Sequence, residues 1–249
     1  MLALQWGLLR SFLIYYAIPG RYGRLRHFYR QFIQPGDLCF DIGAHVGNRI
    51  RVWLSLGAQV IAVEPQPHLF NWLQRLYGRH PRVTLLQTAV ASATIAQSGP
   101  ATLHISSRTP TVSTLSSSWI HTVQKDTSFA WVQWDKTVTV PVITLDDLIA
   151  KYGRPNHCKI DIEGYELEAL RGLSQPIPTL SFEHIPAATD LTRACLIYLA
   201  QLGYIQFNFT PGESHSFYFP NWLSATEITA QLSQLPPASG DIYAVWPQL

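Results

Sequence analysis

At 249 residues, nearly half of them apolar, the chain is long enough for one α/β domain with a full core and does not call for a second. Its 18 Lys and Arg against 16 Asp and Glu leave a net charge of +2, which excludes the strongly basic footprint of a nucleic-acid binder. Cys39, Cys158 and Cys195 are an odd number set inside expected strands and a helix, so they read as buried free thiols in a reducing cytoplasm rather than a disulfide framework.

Residues 1–33 stand apart from the rest, residues 34–249 forming the main domain. The stretch 2–19 is apolar but interrupted by Gln5, Arg10 and Ser11, and its unbroken run 12–19 is too short to span a bilayer. No cationic region precedes it, so a secretory leader is not expected. Arg10, Arg21, Arg24, Arg26 and Arg30 alternate with Phe12, Tyr15, Tyr16, Tyr22, Phe28 and Tyr29. The reading adopted is a helical cap over the mouth of the fold, with contact to a membrane surface or an anionic substrate as the alternative.

The sequence Leu38-Cys39-Phe40-Asp41-Ile42-Gly43-Ala44-His45-Val46-Gly47-Asn48 reads as a strand, a glycine turn and the start of a helix. That helix covers 46–56 through Val46, Ile50, Trp53 and Leu54 and ends at Gly57. Residues 60–63 form a second strand that delivers Glu64 and Pro65. This is one half of a nucleotide-binding sheet. A dinucleotide needs bare backbone against its pyrophosphate, Gly-x-Gly-x-x-Gly, but His45 and Asn48 occupy the second and third glycine positions. S-adenosylmethionine carries no phosphate. Asp41 suits its cationic amine, Gly43 and Gly47 let the backbone turn close beneath it, and Glu64 suits the ribose hydroxyls. Ala44, Asn48 and Pro65 complete the expected cofactor-binding set, and His45 reads as filling the turn or capping the helix. An NAD-type oxidoreductase and a non-catalytic cofactor-binding scaffold are the alternatives weighed.

A helix follows over 67–77, with Phe70, Leu73, Leu76 and Tyr77 on one side, and then a third strand over 83–90 whose Thr88 falls near the adenine. Residues 91–137 are Ser- and Thr-rich and irregular, with a strand expected at 101–106. So long a stretch inside an α/β unit is expected to shape the acceptor pocket. Thr144 and Asp147 form a capping box for a helix that stops at Gly153. The strand from His157 places Asp161 and Glu163 at its carboxyl end, on one side by the period of two, where open α/β sheets bind ligands. The next strand, 180–184, ends in Glu183 and His184, an acid beside an imidazole suited to proton removal. Asp161, Glu163, Glu183 and His184 are therefore the catalytic candidates. No spaced ligand motif calls for a metal. A helix over 191–202, a strand over 204–209, a helix capped by Ser224 and Glu227, and a strand over 242–246 complete the pattern.

Four segments together, Phe40 to Asn48, Ala62 to Pro65, Thr144 to Leu148 and above all Lys159-Ile160-Asp161-Ile162-Glu163-Gly164-Tyr165-Glu166, resemble the FkbM family of S-adenosylmethionine-dependent methyltransferases. The resemblance runs from about residue 34 to 184. It implies the class I methyltransferase fold, an α/β Rossmann-like sheet of seven mostly parallel strands in the order 3-2-1-4-5-7-6. It also implies O-methylation of a hydroxyl on a sugar or secondary metabolite, without fixing the acceptor. A nucleic-acid or protein amino-group methyltransferase would carry Asn or Asp, two prolines and an aromatic where this chain has Asp161-Ile162-Glu163-Gly164, so the acceptor expected is a small molecule and not nucleic acid.

Overall fold

The computed structural model describes residues 2–236 and 238–247. Its helices are α1 (Leu2–Tyr16), α2 (Arg21–Tyr29), α3 (Asn48–Ser55), α4 (Pro67–Tyr77), α5 (Ala93–Gln97), α6 (Ser117–Val123), α7 (Leu145–Tyr152), α8 (Glu166–Leu170), α9 (Thr189–Gln201) and α10 (Ala225–Gln231). The strands are β1 (Leu38–Ile42), β2 (Gln59–Val63), β3 (Val83–Leu86), β4 (Ala89–Val90), β5 (Ala101–Ile105), β6 (Lys136–Val140), β7 (Val142–Ile143), β8 (His157–Ile160), β9 (Thr179–His184), β10 (Gln206–Pro211) and β11 (Gly240–Val245).

Seven strands form one sheet in the order β10-β11-β9-β8-β1-β2-β3. Only β11 runs antiparallel to its neighbours, β9 and β10. Counted along the sheet's own strands this is the order expected, with the reversal between β1 and β8 opening a crevice at their carboxyl ends. Alternation in β1 and β2 divides the core. Phe40, Ile42, Ile61 and Val63 face α7, α8 and α9, whereas Cys39, Val60 and Ala62 face α2 and α3 through Phe28, Ile50 and Trp53. Burying each large side chain such as Trp53 or Phe28 stabilises the fold by roughly 1.5–3 kcal/mol, so α2 is part of the core. Both expected capping boxes form, Thr144 with Asp147 and Ser224 with Glu227.

Three local expectations are corrected. The third strand stops at Leu86, and β4 leaves the main sheet to pair with β7, because Ala89 N–H and the Thr88 hydroxyl both bond to the Pro141 carbonyl at 2.9 Å. Helix α3 begins at Asn48 rather than 46, since His45 (φ 50°) and Gly47 hold left-handed backbone that no α-helix accepts. The strand from His157 ends at Ile160, and the chain then turns, with Glu163 at φ 55° and Gly164 at φ 86°.

Residues 101–140 form an antiparallel hairpin, β5 with β6, enclosing a 3-10 turn Pro110–Val112 and α6. Residues 2–16 and 21–29 are helical, α1 lying against the 3-10 turn and α2 against α3. No helix among the described residues is long and apolar enough to cross a membrane.

Candidate active site

The turn after β1 is held by β2. Gly43 and Ala44 N–H donate to the Val63 carbonyl at 2.9 and 3.0 Å. His45 N–H donates to Glu64 Oε2 at 2.8 Å and Gln66 N–H to Oε1 at 2.9 Å, so one carboxylate clamps both chain segments. Glu64 is buried, which pushes its pKa up to about 7 against the pull of those two N–H bonds. The glycines make room for protein rather than for ligand: a Cβ on Gly43 would lie 1.9 Å from the Asp161 carbonyl oxygen, and one on Gly47 2.8 Å from the Tyr77 ring. His45 does not cap α3, which has no side-chain cap. Its Nε2 lies 3.4 Å from the Ser11 hydroxyl of α1.

A cleft with about 720 Å³ of empty space opens over this turn. Of the expected cofactor residues, Gly43, Asn48, Glu64, Pro65 and Thr88 line it, as does His45. Asp41, Ala44 and Gly47 lie behind the lining. Asp41 is fully buried, and neither of its carboxylate oxygens accepts a hydrogen bond among the described residues. Burial pushes its pKa up to about 6, Arg49 and Lys159 pulling the other way against Asp161. The far wall comes from the irregular region: Leu103, Thr111, Ser113 and Thr114 stand on it. That region was expected to shape the acceptor pocket; here it walls the cleft over the turn after β1 and, through Ser116, Ser118, Trp119 and Thr122, a separate cavity. Gln66 fixes it in place, donating to the Pro110 carbonyl and accepting from Ser113, each at 3.0 Å. Its position just after Glu64-Pro65 was the only trace of that role in the sequence.

The turn after β8 brings three acids together. Carboxylate oxygens of Asp161, Glu163 and Glu183 lie within 4.8 Å of one another, a set able to hold a divalent cation, although the sequence carried no metal motif. The turn, not strand alternation, aims Glu163, and the Trp119 indole of α6 packs where a Gly164 Cβ would stand, 2.1 Å from Trp119 Cγ. Arg49 Nη2 meets Asp161 Oδ2 at 2.9 Å, and Lys159 Nζ stands 3.6 Å from the same oxygen and 2.5 Å from Asp241 Oδ1. Burial opposes charge on Asp161, but Lys159 and Arg49 outweigh it and hold the carboxyl below its ordinary range. Neither Glu163 nor Glu183 forms an ion pair among the described residues, and Lys159 lowers each only against a larger effect of burial. Burial raises both well above the usual carboxylate range, with Asp161 adding to the rise in each. Arg49 and Lys159, neither assigned a role from the sequence, thus set Asp161 apart from two neighbouring acids whose proton affinity burial raises. A lysine in the middle of a short, expected-buried strand was the available signal.

His184 is left out of this cluster. Adjacent strand residues face opposite ways, so while Glu183 looks toward Asp161, His184 is buried under α9 with Nδ1 2.8 Å from the Thr192 hydroxyl. Burial pushes its pKa down to about 4. The expected acid–imidazole pair is therefore not assembled.

A second, strongly polar cleft of about 700 Å³ lies on the other side of the cluster, bounded by Tyr29, Glu183, His215 and Asp241. It shares Asn48, Arg49, Asp161 and Glu163 with the first. Two cavities thus meet at one wall of ionisable groups.

Sheet order, glycine turn and the acid closing β2 define a class I methyltransferase, with a cleft at the switch point and a second cavity beside it. The sequence pattern described as the methyltransferase FkbM domain matches residues 41–206, two thirds of the chain, and the protein belongs to that family of methyltransferases. Its methyl donor is that of the family, S-adenosylmethionine. The hexuronic acid methyltransferase AglP of Haloferax volcanii is 26% identical over 149 residues, 59% of this chain and 54% of that protein. The chain thus matches about half the length of that relative. Among solved structures, a TehB-like SAM-dependent methyltransferase from Corynebacterium glutamicum covers 90% of this chain and 88% of its own at TM-score 0.46 and 9% identity. A precorrin-6y C5,15-methyltransferase from Geobacter metallireducens covers 90% and 87% at 0.45 and 11%. Both scores are below 0.5, so the fold class rests on the sheet order and the family match.

Proposed function

We propose that the protein moves a methyl group from S-adenosylmethionine to a hydroxyl oxygen of a small, hydroxyl-rich acceptor, a sugar or a secondary metabolite. The observation that carries this reading is the wall shared between the cleft over the turn after β1 and a polar cleft with carboxylates on its face. The Glu64 carboxylate at the end of β2 lines the cleft and fits a ligand bearing ribose hydroxyls, while Asp41, without a hydrogen-bond partner among the described residues, lies buried behind that lining. The cofactor supplies an electrophilic methyl on sulfur.

The chain's own residues orient the acceptor and take its proton. Orientation of this kind is worth roughly 7–11 kcal/mol of barrier. An alcohol becomes a competent nucleophile as its proton leaves, and Glu163 or Glu183, with raised proton affinity, is the acceptor of that proton, a contribution of about 10²–10⁴ in rate. Asp161, kept ionised by Arg49 and Lys159, holds the cluster's charge and shape. The name of the relative supports a sugar, while the carboxylates lining the second cavity favour presenting a neutral hydroxyl-bearing face to the cluster. Three buried free thiols support residence in the reducing cytoplasm.

The test is methyl transfer to a panel of monosaccharides, uronic acids and phenolic metabolites with labelled cofactor, run for the wild type, Glu163→Gln and Glu183→Gln, with S-adenosylhomocysteine affinity measured on each. An oxygen-methylated product whose rate collapses in one variant while affinity holds supports the assignment. Label on nitrogen, or full turnover in both variants, overturns it.

A further inference from the structure

Helix α1 is mostly apolar in sequence, and its described side chains divide into a covered side and an exposed one. Gly7 and Ser11 are buried, the first so tightly that a Cβ would lie 2.7 Å from Pro110 Cδ, and the Phe12 ring stacks edge-on to Trp72 at 4.7 Å. The opposite arc, at helical spacing, carries Trp6, Leu9 and Leu13 with 68%, 48% and 56% of their surface exposed. Trp131 of the irregular region extends this face, with the Arg10 guanidinium 5.5 Å over its ring. Scattered exposed apolar residues mean little, but Trp6, Leu9 and Leu13 in one row on a mostly apolar helix mark a surface suited to being covered.

Charge decides between occupants. Residues 1–33 contain five arginines and no acid, while the rest of the chain holds 13 Lys and Arg against 16 Asp and Glu. Arg21 is engaged by Glu213, but Arg10, Arg24 and Arg30 are exposed. A second copy of the chain, docked through the same face, would bring these arginines against their equivalents. An anionic surface would be attracted by all three, and indole rings beside a basic apolar helix are the composition of an element lying in a lipid interface.

We propose that α1 docks the protein in the plane of an anionic lipid bilayer, Trp6, Leu9 and Leu13 entering the headgroup–acyl boundary while Arg10, Arg24 and Arg30 meet the headgroups. The inner side of the same helix lies against Pro110 and His45, which flank the cofactor cleft, so docking sets the membrane and the cleft on two sides of one helix. This proposal stands on the N-terminal surface alone and does not depend on the acceptor assigned above.

The experiment is co-sedimentation of the full chain with phosphatidylcholine vesicles and with vesicles of three parts phosphatidylcholine to one part phosphatidylglycerol. Binding to the mixed vesicles, weakened by salt and lost in the triple variant Trp6→Ser, Leu9→Ser, Leu13→Ser, is expected. In the separate variant Arg10→Gln, Arg24→Gln, Arg30→Gln, partitioning drops by about fivefold per arginine, the equivalent of ~1 kcal/mol each. Both variants keep their affinity for S-adenosylhomocysteine, which shows that they are folded. Absence of binding to either vesicle, equal binding to both, or undiminished binding by the serine variant overturns the proposal. A dimer in solution that the serine variant converts to monomer overturns it in favour of a second copy.

Discussion

Replacing Glu64 by Gln separates two jobs that one carboxylate performs. In the structure its oxygens accept the N–H groups of His45 and Gln66 at 2.8 and 2.9 Å, which fastens the turn after β1 to the end of β2. In the functional reading its remaining lone pairs also accept the ribose hydroxyls of the cofactor. A hydrogen bond to a charged group is worth roughly 1.5–3 kcal/mol, and the amide keeps one acceptor oxygen while turning its NH₂ toward the other N–H. Loss of one such bond to the turn lowers the melting temperature by about 3–12 °C for a chain of this length. Loss of one to the ribose weakens S-adenosylhomocysteine by about 10- to 150-fold. The pH dependence adds a second check. Burial raises the Glu64 pKa from its ordinary 4.5 to about 7, so between pH 7 and 4.5 the native state takes up a proton that the unfolded state does not. This group's contribution to stability therefore grows as pH falls through that window, whereas cofactor affinity, which needs the carboxylate, falls by up to tenfold per unit. Calorimetric titration and thermal melts of both proteins at pH 8, 7 and 6 read all four quantities. A variant that melts earlier but binds S-adenosylhomocysteine within about threefold of wild type, with the same pH slope, would show that Glu64 staples the turn and has no part in the cofactor site.

Gly43→Ala must displace the Asp161 carbonyl, 1.9 Å from the new Cβ, and adopt φ +86°; a loss of about 3 kcal/mol or more is expected in denaturant titrations, while Gly23→Ala, with nothing within 4 Å, gains about 0.5–1 kcal/mol. The turnover rate of the wild type should fall on the acid side at a pH above the ordinary carboxylate range, because the base must be ionised and burial raises Glu163 and Glu183; a rate that stays flat down to pH 5 would rule out both. His184→Gln should retain turnover within a few fold and lose stability. Burial lowers this imidazole from 6.5 to about 4, so its contribution is intact above pH 6.5 and is lost as pH falls toward 4; melts of the variant should show a shallower slope there, and a collapse of turnover at unchanged cofactor affinity would return His184 to the chemistry.

Much of this molecule is written locally. Period-two and period-3.6 apolar patterns, the Thr144–Asp147 and Ser224–Glu227 capping boxes, and the glycine turn after Asp41 each depend on residues within a few positions of one another, so they are legible one segment at a time. The sheet order was legible through the family resemblance and appears in the structure unchanged. Strand ends were less so: the Pro141 carbonyl, more than fifty residues away in the chain, captures Thr88 and ends the third strand early. The same distance effect governs the site. Asp161 and Glu183 stood out because strand ends carry chemistry, and His184 stood out beside them, but a strand gives adjacent residues opposite faces, and only the packing of α9 shows which of the two faces the cluster. Asp161 is held in its charged form by Arg49 of α3 and Lys159 of β8, whose proximity no local pattern encodes. Sequence by itself determined the class of fold, the position of the cofactor turn and the acids at strand ends, because these follow from spacing along the chain. The tertiary structure decided which acid gains cationic partners, why Gly43 has no room for a side chain and which wall closes the cleft over the turn after β1, because those are settled by contacts between segments that spacing along the chain does not relate.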